Sequence, residues 1–211
     1  AAKRLESKSY KINIDISEYD KFSSTFPYIE TDDQLNAIND VINDFQKNIP
    51  SDRLIVGDVA FGKTEVIIRA IYLASKAGLQ SIVLVPTTLL AKQHFENFNK
   101  RFETFNIKVS QISRLTPNKD VLITYEKIKT GESQIIVGTH ALLNDKISFN
   151  KLGLIIYDEE QKLGTKQKEK LKEIAPNAHV ISLSATPIPR TLSLSLSGIR
   201  DLSLILTAPY E

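Results

Sequence analysis

The stretch Gly57-Asp58-Val59-Ala60-Phe61-Gly62-Lys63-Thr64 decides the fold. It follows the apolar run 54–56 and leads into the mainly apolar segment 65–71. Two glycines five positions apart, followed by Lys-Thr, fit the phosphate-binding loop pattern G-x-x-x-x-G-K-[ST]. The glycines let backbone N–H groups approach phosphate oxygens, and the helix that follows adds its positive N-terminal end. The alternative interpretation is a plain glycine turn between a strand and a helix.

The side chains at the end of this loop carry the predicted chemistry. Lys63 is expected to reach the terminal phosphates of a nucleotide, and Thr64 is expected to hold Mg²⁺ through its hydroxyl. The predicted nucleotide-binding set in this stretch is Gly57, Asp58, Val59, Ala60, Phe61, Gly62, Lys63, Thr64 and Glu65.

Composition narrows the class of protein. The chain has 211 residues, 42% of them apolar, and a net charge of +2, which suits one large domain or a domain with an appendage. It contains no cysteine, and its three histidines are too scattered to suggest a zinc site. No apolar run approaches the roughly 18 residues of a membrane helix, and the first residues lack the core of a signal peptide. We therefore expect a cytoplasmic protein with no membrane partner. The absence of methionine indicates a piece of a longer chain.

Hydrophobic periodicity predicts an α/β fold. Residues 1–30 are polar and poorly periodic, and we predict a linker or a peripheral helix there, followed by a nucleotide-binding lobe over 31–211. Apolar runs predict strands at 54–56, 81–85, 108–112, 134–137, 152–157, 179–183 and 202–206. Helical patterns lie between them, at about 35–48, 64–77, 87–105, 118–129, 165–174 and 192–196. This alternation of continuous apolar strands with helices predicts a parallel sheet covered on both faces.

Polar signatures follow several of these strands, at 57–64, 86–88, 138–140, 158–161 and 184–186. In parallel sheets, ligands bind beyond the carboxyl ends of the strands. We therefore expect these signatures to meet at one edge of the sheet.

The acidic segment after the strand 152–157 predicts the remaining chemistry. Asp158 is assigned to Mg²⁺, and Glu159 is assigned to orienting or deprotonating the attacking water. The alternative is a solvated acidic turn. Glu160 has no assigned role, and Gln161 is predicted either to reach the terminal phosphate or to link to segment 184–186.

These motifs together resemble those of superfamily 2 helicases. The longer segments 57–65, 85–91, 138–143, 184–192 and 197–202 are similar to bacterial transcription-repair coupling factors, and the resemblance covers nearly the whole chain. Branched-DNA helicases of the RecG type share most of these motifs but usually have Asp-Glu-Gln-His in the acidic motif. Asp158-Glu159-Glu160 favours the coupling factor. Ala60 and Gln161 depart from the family, which usually has glycine and histidine at these positions.

The resemblance implies the first RecA-like motor lobe of an ATP- and Mg²⁺-dependent translocase on double-stranded DNA. Whole proteins of this family displace stalled RNA polymerase and recruit an excision-repair protein, which would bind through regions outside this chain. By position, the adenine-reading motif is Thr31 and Gln34, with Phe26 or Tyr28 as a stacking face. The resemblance also implies, by position, a catalytic set of Lys63, Asp158, Glu159 and Gln161. The implied DNA contacts are Thr87, Thr88, Gly138 and Thr139. The residues implied to couple the nucleotide state to motion are Ser184, Ala185 and Thr186.

In this family a second lobe supplies arginine fingers, and no second lobe follows within these residues. The resemblance therefore implies weak ATP·Mg²⁺ binding and almost no hydrolysis by this chain alone. Three alternatives remain open: a lobe of a RecG-like branched-DNA helicase, a nucleotide-gated binding module that does no mechanical work, and a small P-loop kinase. The Thr-x-x-Gln and Ser-Ala-Thr motifs argue against the kinase.

Overall fold

A computed structural model of the chain describes residues 8–185 and 200–210. The helices within these ranges are α1 (Ile16–Ser23), α2 (Asp32–Phe45), α3 (Lys63–Lys76), α4 (Thr88–Phe102), α5 (Asn118–Thr130) and α6 (Thr165–Ile174). The strands are β1 (Asp52–Gly57), β2 (Gln80–Leu84), β3 (Val109–Ile112), β4 (Ile135–Gly138), β5 (Leu152–Tyr157), β6 (His179–Ser184) and β7 (Asp201–Ile205). Short 3₁₀ turns cover Glu103–Phe105, His140–Leu143 and Glu160–Lys162.

The strands form one sheet in the order β3-β4-β2-β5-β6-β1-β7, and every pair of neighbours is parallel. Strand β1 lies between β6 and β7, so Ile55 is opposite both Leu183 and Ser203. Because all strands point the same way, their carboxyl ends meet at one edge. The segments that follow β1, β2, β5 and β6 therefore lie at that edge of the sheet.

Alternate residues of the strands supply two cores, one on each face. Ile55, Val83 and Ile156 belong to a cluster that also contains apolar residues of α1, α2, α3 and α4. Ile82 and Ile155, their neighbours along β2 and β5, belong to a second cluster that includes residues of α5 and α6. Burial of both faces explains why the strands are almost continuously apolar. The predicted α/β fold with helices on both faces is confirmed.

The element boundaries follow local chemistry. Helix α2 begins at Asp32 because Thr31 and Gln34 form a capping box: Thr31 Oγ1 accepts from Gln34 N at 3.2 Å, and Gln34 Oε1 accepts from Thr31 N at 2.8 Å. Helix α4 ends at Phe102 and continues as a 3₁₀ turn, which stops at Asn106 in the left-handed conformation, with φ 55°. The helix predicted at 192–196 lies outside the described residues.

The segment before α2 is tied to the core more closely than a linker would be. Helix α1 occupies part of it, and the Phe22 side chain is completely buried. The Phe22 ring stacks on Tyr72 of α3, with 4.1 Å between centroids, and on Phe102 of α4 at 5.3 Å. None of the helices in the described ranges has the length and apolar character needed to cross a membrane.

Candidate nucleotide-binding and catalytic site

The phosphate-loop sequence connects β1 to α3, and its backbone depends on Gly62. Gly62 has φ +79°, in the left-handed region that side-chain-bearing residues rarely adopt. A Cβ at this position would also overlap with Gln34 Nε2. Ala60, which stands where the family usually has glycine, is not among the described non-glycine residues with positive φ. The alanine is therefore accommodated without left-handed strain.

The Lys63 side chain folds back into the loop. Its Nζ donates to the carbonyl oxygen of Gly57 and to that of Asp58, the latter at 2.9 Å. Burial lowers the pKa of Lys63, although Asp158, Asp58 and Glu159 act in the opposite direction. Phosphate oxygens are charged acceptors, and an ammonium group makes stronger hydrogen bonds to them than to neutral carbonyls.

One cavity brings together the four residues on which the predicted chemistry depends. It has a volume of about 280 Å³ and is lined by Val59, Lys63, Thr64, Leu90, Gln93, His94, Asn97, Asp158, Glu159, Leu183 and Ala185. Lys63 and Thr64 come from the start of α3, and the acidic pair comes from the end of β5. The lysine, the hydroxyl and both carboxylates thus share one cavity at the edge where the strands end.

The Asp158 carboxylate is held from two sides. Its Oδ1 accepts from the backbone N–H of Glu159 at 2.9 Å, and its Oδ2 lies 2.6 Å from His94 Nε2. His94 is buried on α4, and its ring stacks on Phe98 with 5.3 Å between centroids. Sequence reasoning missed His94. A usable signal existed: Gln93, His94 and Asn97 form a polar stripe on a helix that starts at a strand's carboxyl end.

Glu159 and Glu160 have different environments. Glu159 adopts the left-handed conformation, with φ 50°, and its Oε2 lies 3.1 Å from Lys162 Nζ. Glu160 accepts from Arg200 Nη1 at 2.8 Å and from Lys168 Nζ at 3.1 Å. Burial favours the neutral form of Glu160, but these two cations outweigh it and lower its pKa. Glu160, to which the sequence assigned no role, is therefore an anchor of the acidic segment.

Arg200 extends that anchor to two strands. Its Nη2 donates to Asp52 Oδ1 at the start of β1 at 3.3 Å, and to Ser182 Oγ on β6 at 3.1 Å. The next residue of the acidic segment also contacts β6, since Ser184 Oγ donates to Gln161 Oε1 at 3.3 Å. This contact corresponds to one of the two alternatives predicted for Gln161. Ala185 lines the cavity, and Thr186 lies outside the described residues.

The predicted adenine-reading residues lie beside the loop. Gln34 Nε2 donates to the Gly62 carbonyl at 3.2 Å, while its Oε1 accepts from Thr31 N. Phe26 is half-buried, and the guanidinium groups of Arg69 and Arg101 lie 5.7 and 5.8 Å from its ring centroid. Phe26 and Gln34 line a second cavity of about 850 Å³, which also reaches Gly62 and Thr64. Thr31 is not among the residues that line this cavity, and it contributes by holding the Gln34 side chain.

Glu65 supports this second cavity. Its side chain is 4% exposed and accepts from Arg69 Nε at 3.0 Å and from Arg101 Nη2 at 3.1 Å. The carboxylate is thus committed to two arginines. The place of Glu65 in the predicted nucleotide-binding set stays a prediction.

The predicted DNA contacts separate into an accessible and an inaccessible pair. Thr87 is exposed at the N-terminus of α4, where its Oγ1 accepts from Leu90 N at 3.2 Å, and Thr88 is half-buried beside it. Gly138 is buried, and a Cβ there would lie 2.7 Å from Leu142 Cγ. Thr139 is only 3% exposed. The phosphate contacts predicted for Gly138 and Thr139 therefore do not fit the structure, and the exposed residue of this segment is His140.

The site suits Mg²⁺ better than a metal that needs a full protein cage. Within the described ranges, no group of three or more His, Cys, Asp or Glu side chains could hold a metal ion. Mg²⁺ commonly takes one or two protein oxygens and completes its shell with water and substrate phosphates. The Thr64 hydroxyl and the Asp158 carboxylate are hard oxygen donors that line the same cavity.

A phosphate loop, an acidic pair and a Ser-Ala segment at the ends of parallel strands are features of a helicase-type ATPase lobe. The DEAD/DEAH box helicase model matches residues 31–194, and the chain belongs to this family of ATP-dependent, helicase-like enzymes. The chain is 46% identical to the transcription-repair-coupling factor of Rickettsia conorii over 215 residues, which cover 100% of this chain and 19% of the relative. It is also 46% identical to that of Bacillus subtilis over 208 residues, which cover 99% of this chain and 18% of the relative. The resemblance predicted from the motifs is confirmed, and the chain spans about a fifth of the length of these relatives.

Solved structures agree with this classification. The structure of RecG bound to a three-way DNA junction matches with a TM-score of 0.83 and 30% identity, covering 99% of this chain and 28% of that chain. The helicase MrfA bound to DNA and AMPPNP matches with a TM-score of 0.68 and 20% identity, covering 97% of this chain and 31% of that chain. The likeness to MrfA concerns the fold alone.

Proposed function

We propose that this chain is the ATP-binding motor lobe of a double-stranded DNA translocase that acts in transcription-coupled repair. The observation that carries the proposal is the cavity shared by Lys63, Thr64, Asp158 and Glu159. The 46% identity to transcription-repair-coupling factors supports the biological setting. In this proposal the whole protein works in the cytoplasm, and other regions bind RNA polymerase and an excision-repair protein.

Four residues of the cavity have distinct parts in the proposed ATP hydrolysis. Lys63 binds the terminal phosphates, and Thr64 with Asp158 would hold Mg²⁺. The metal, when bound, neutralises charge on the phosphate groups. Glu159 orients the attacking water and accepts its proton. Gln161, in contact with Ser184, connects the acidic segment to the end of β6.

DNA binding is proposed at the exposed N-terminus of α4. Thr87 and Thr88 lie there, close in sequence to the cavity-lining residues Leu90, Gln93 and His94 of the same helix. Hydroxyl and backbone N–H groups contact DNA phosphates without reading sequence. The net charge of +2 is compatible with a lobe that neutralises few phosphates at once.

The chain alone is proposed to bind ATP·Mg²⁺ weakly and to hydrolyse it barely, with or without DNA. A second lobe is required because it supplies arginine fingers, whose absence typically costs about 10³–10⁵ in rate.

Calorimetric titration of the 211-residue chain with ATP and Mg²⁺ tests the site. Lys63→Ala should weaken binding at least about tenfold, because it removes the charge that faces the phosphates. Lys119→Ala, at an exposed position of α5, is the control. Equal affinity of the Lys63→Ala variant and the parent would refute the site. Strong DNA-stimulated hydrolysis by the chain alone would refute the requirement for a second lobe.

A test in the longer parent protein separates a motor from a nucleotide-gated switch. Glu159→Gln should abolish hydrolysis there while nucleotide binding persists, since the amide cannot accept the proton. Unchanged hydrolysis would favour the switch.

The likeness to RecG, at a TM-score of 0.83, favours one second candidate: the motor lobe of a branched-DNA helicase. Strand-displacement assays with the longer parent protein distinguish the two. Translocation without efficient unwinding supports the coupling-factor proposal, and efficient unwinding of branched DNA supports the second candidate.

A further inference from the structure

The chain that leaves β7 is tied to the first turn of α2. Asp33 Oδ2 accepts from Leu206 N at 2.9 Å, from Thr207 N at 3.0 Å and from Thr207 Oγ1 at 2.9 Å. Hydrogen bonds to an ionised carboxylate are stronger than those between neutral groups. A single side chain on α2 therefore fixes the direction in which the chain continues after the last strand of the sheet.

This anchor places Pro209 and Tyr210 at the second cavity, the one that also contains Phe26, Gln34 and Gly62. The cavity is thus lined from distant parts of the sequence: the segment before α2, the helices α2, α3 and α4, and the segment after β7. Tyr210 is 60% exposed although it lines a cavity of about 850 Å³. An exposed aromatic ring beside the phosphate loop offers a flat apolar surface of the kind on which nucleobases stack.

Of the other candidates for base recognition, Phe26 and Gln34 are already engaged. Tyr28 lines the same cavity and is 68% exposed, and its ring packs edge-on against Phe26 with 5.6 Å between centroids. Both polar atoms of the Gln34 side chain have protein partners, Thr31 and Gly62. The Phe26 ring is shared with the guanidinium groups of Arg69 and Arg101. Among the described residues, no ring contact or cation–π contact involves Tyr210.

We infer that Tyr210 is a nucleotide-binding residue, on whose ring the base stacks, and that Asp33 is the positioning residue that holds Tyr210 at the cavity. This inference rests on the proposed ATP-binding function and assigns part of the base affinity to the segment after β7. Base recognition is then shared between the two ends of the lobe.

Calorimetric titration of the 211-residue chain with two ligands, ATP and inorganic tripolyphosphate, both with Mg²⁺, tests the inference. Tyr210→Ala should weaken ATP binding about tenfold, the scale of one base–aromatic stack, and leave tripolyphosphate binding unchanged. Tyr210→Phe should bind ATP like the parent chain because it keeps the ring. Tyr210→Ala with unchanged ATP affinity, or with both ligands weakened equally, would overturn the inference.

The positioning role of Asp33 is tested by comparing the single variants of Asp33 and Tyr210 with the double variant. Asp33→Ala should weaken ATP binding to a similar degree, and the double variant should lose little more than either single variant, since both changes remove the same contact. Asp32→Ala is the matched control, because Asp32 is an exposed acidic residue in the same helical turn. Fully additive losses would overturn the positioning role of Asp33.

Lys63→Ala separates failure of the inference from failure of the proposed function. If Lys63→Ala weakens both ligands and Tyr210→Ala weakens neither, the inference alone fails. If Lys63→Ala weakens neither ligand, the proposed ATP site itself is wrong.

Discussion

His94 Nε2 on α4 lies 2.6 Å from Asp158 Oδ2 at the end of β5. This contact joins the helix that carries the proposed DNA-binding threonines to the carboxylate proposed to hold Mg²⁺. The second oxygen of Asp158 accepts from the backbone of Glu159. Each oxygen of this carboxylate therefore has a protein partner that fixes its orientation.

His94→Ala should raise the Mg²⁺ concentration needed for half-maximal ATP binding by about 10-fold or more, because partners that orient a metal-binding group typically contribute 10–100-fold to metal affinity. His94→Gln, which keeps a side-chain donor, should recover part of this loss. ATP titrations at a series of Mg²⁺ concentrations provide the measurement. His140→Ala, at an exposed position, is the control. The same Mg²⁺ dependence in His94→Ala and the parent chain would contradict an orienting role.

Gly62→Ala should lower both stability and ATP affinity. The left-handed φ of +79° costs an alanine about 1–2 kcal/mol, and the new Cβ would displace Gln34. Gly78→Ala is a matched control because Gly78 has φ +78° with no atom within 4 Å of an added Cβ. Urea unfolding should show a loss in both variants, whereas ATP titration should show a loss only in Gly62→Ala. Equal ATP affinity in both variants would contradict the contact between Gln34 and the loop.

Phe22→Ala should reduce the free energy of unfolding by about 3–5 kcal/mol, the usual cost of removing a buried phenylalanine side chain. A loss of this size is expected because the Phe22 ring stacks on Tyr72 and Phe102. Ile16→Ala on the same helix should change stability by less than about 0.5 kcal/mol, because Ile16 is 71% exposed. Urea unfolding of both variants measures the difference. If Phe22→Ala were as stable as Ile16→Ala, α1 would not belong to the core.

Glu30→Gln should reduce stability in a pH-dependent way. Burial raises the pKa of Glu30, but the hydrogen bond and the positive charge of Arg69 outweigh burial and lower it. A carboxyl group whose pKa is lower in the folded state stabilises the fold above its unfolded pKa, and this contribution disappears as the pH falls through the folded pKa. The parent chain should therefore be more stable than Glu30→Gln at neutral pH, and the gap should close at acidic pH. Urea unfolding of the parent chain and of Glu30→Gln from neutral to acidic pH measures this difference in stability. Glu103→Gln, at an exposed position, is the control. A difference that stays constant with pH would contradict the ion pair between Glu30 and Arg69.

Much of the fold was predictable because its strands are buried on both faces. The runs at 152–157 and 165–174 match β5 and α6 residue for residue. The meeting of the phosphate loop with Asp158 and Glu159 followed from one rule, that parallel strands end at the same edge. Apolar patterning and strand direction thus contain enough information to place these residues around one cavity.

The features that sequence reasoning missed depend on packing between distant residues. The contact of His94 with Asp158 depends on how α4 is rotated, and apolar periodicity gives that rotation only approximately. The DNA contacts of Gly138 and Thr139 were predicted by position alone, and position did not show that the 3₁₀ turn His140–Leu143 places Leu142 against Gly138. Nothing local in the sequence identifies Arg200 as the partner of Glu160.

The Arg200 guanidinium also determines how motion can spread through the lobe. It joins Glu160, Asp52 and Ser182, which belong to three different elements of the structure. A shift of the backbone at Arg200 must either drag Glu160 with it, two residues after Asp158, or break ionic contacts at a half-buried position. The arginine therefore links the residue before β7 to the acidic segment that contains the proposed catalytic carboxylates.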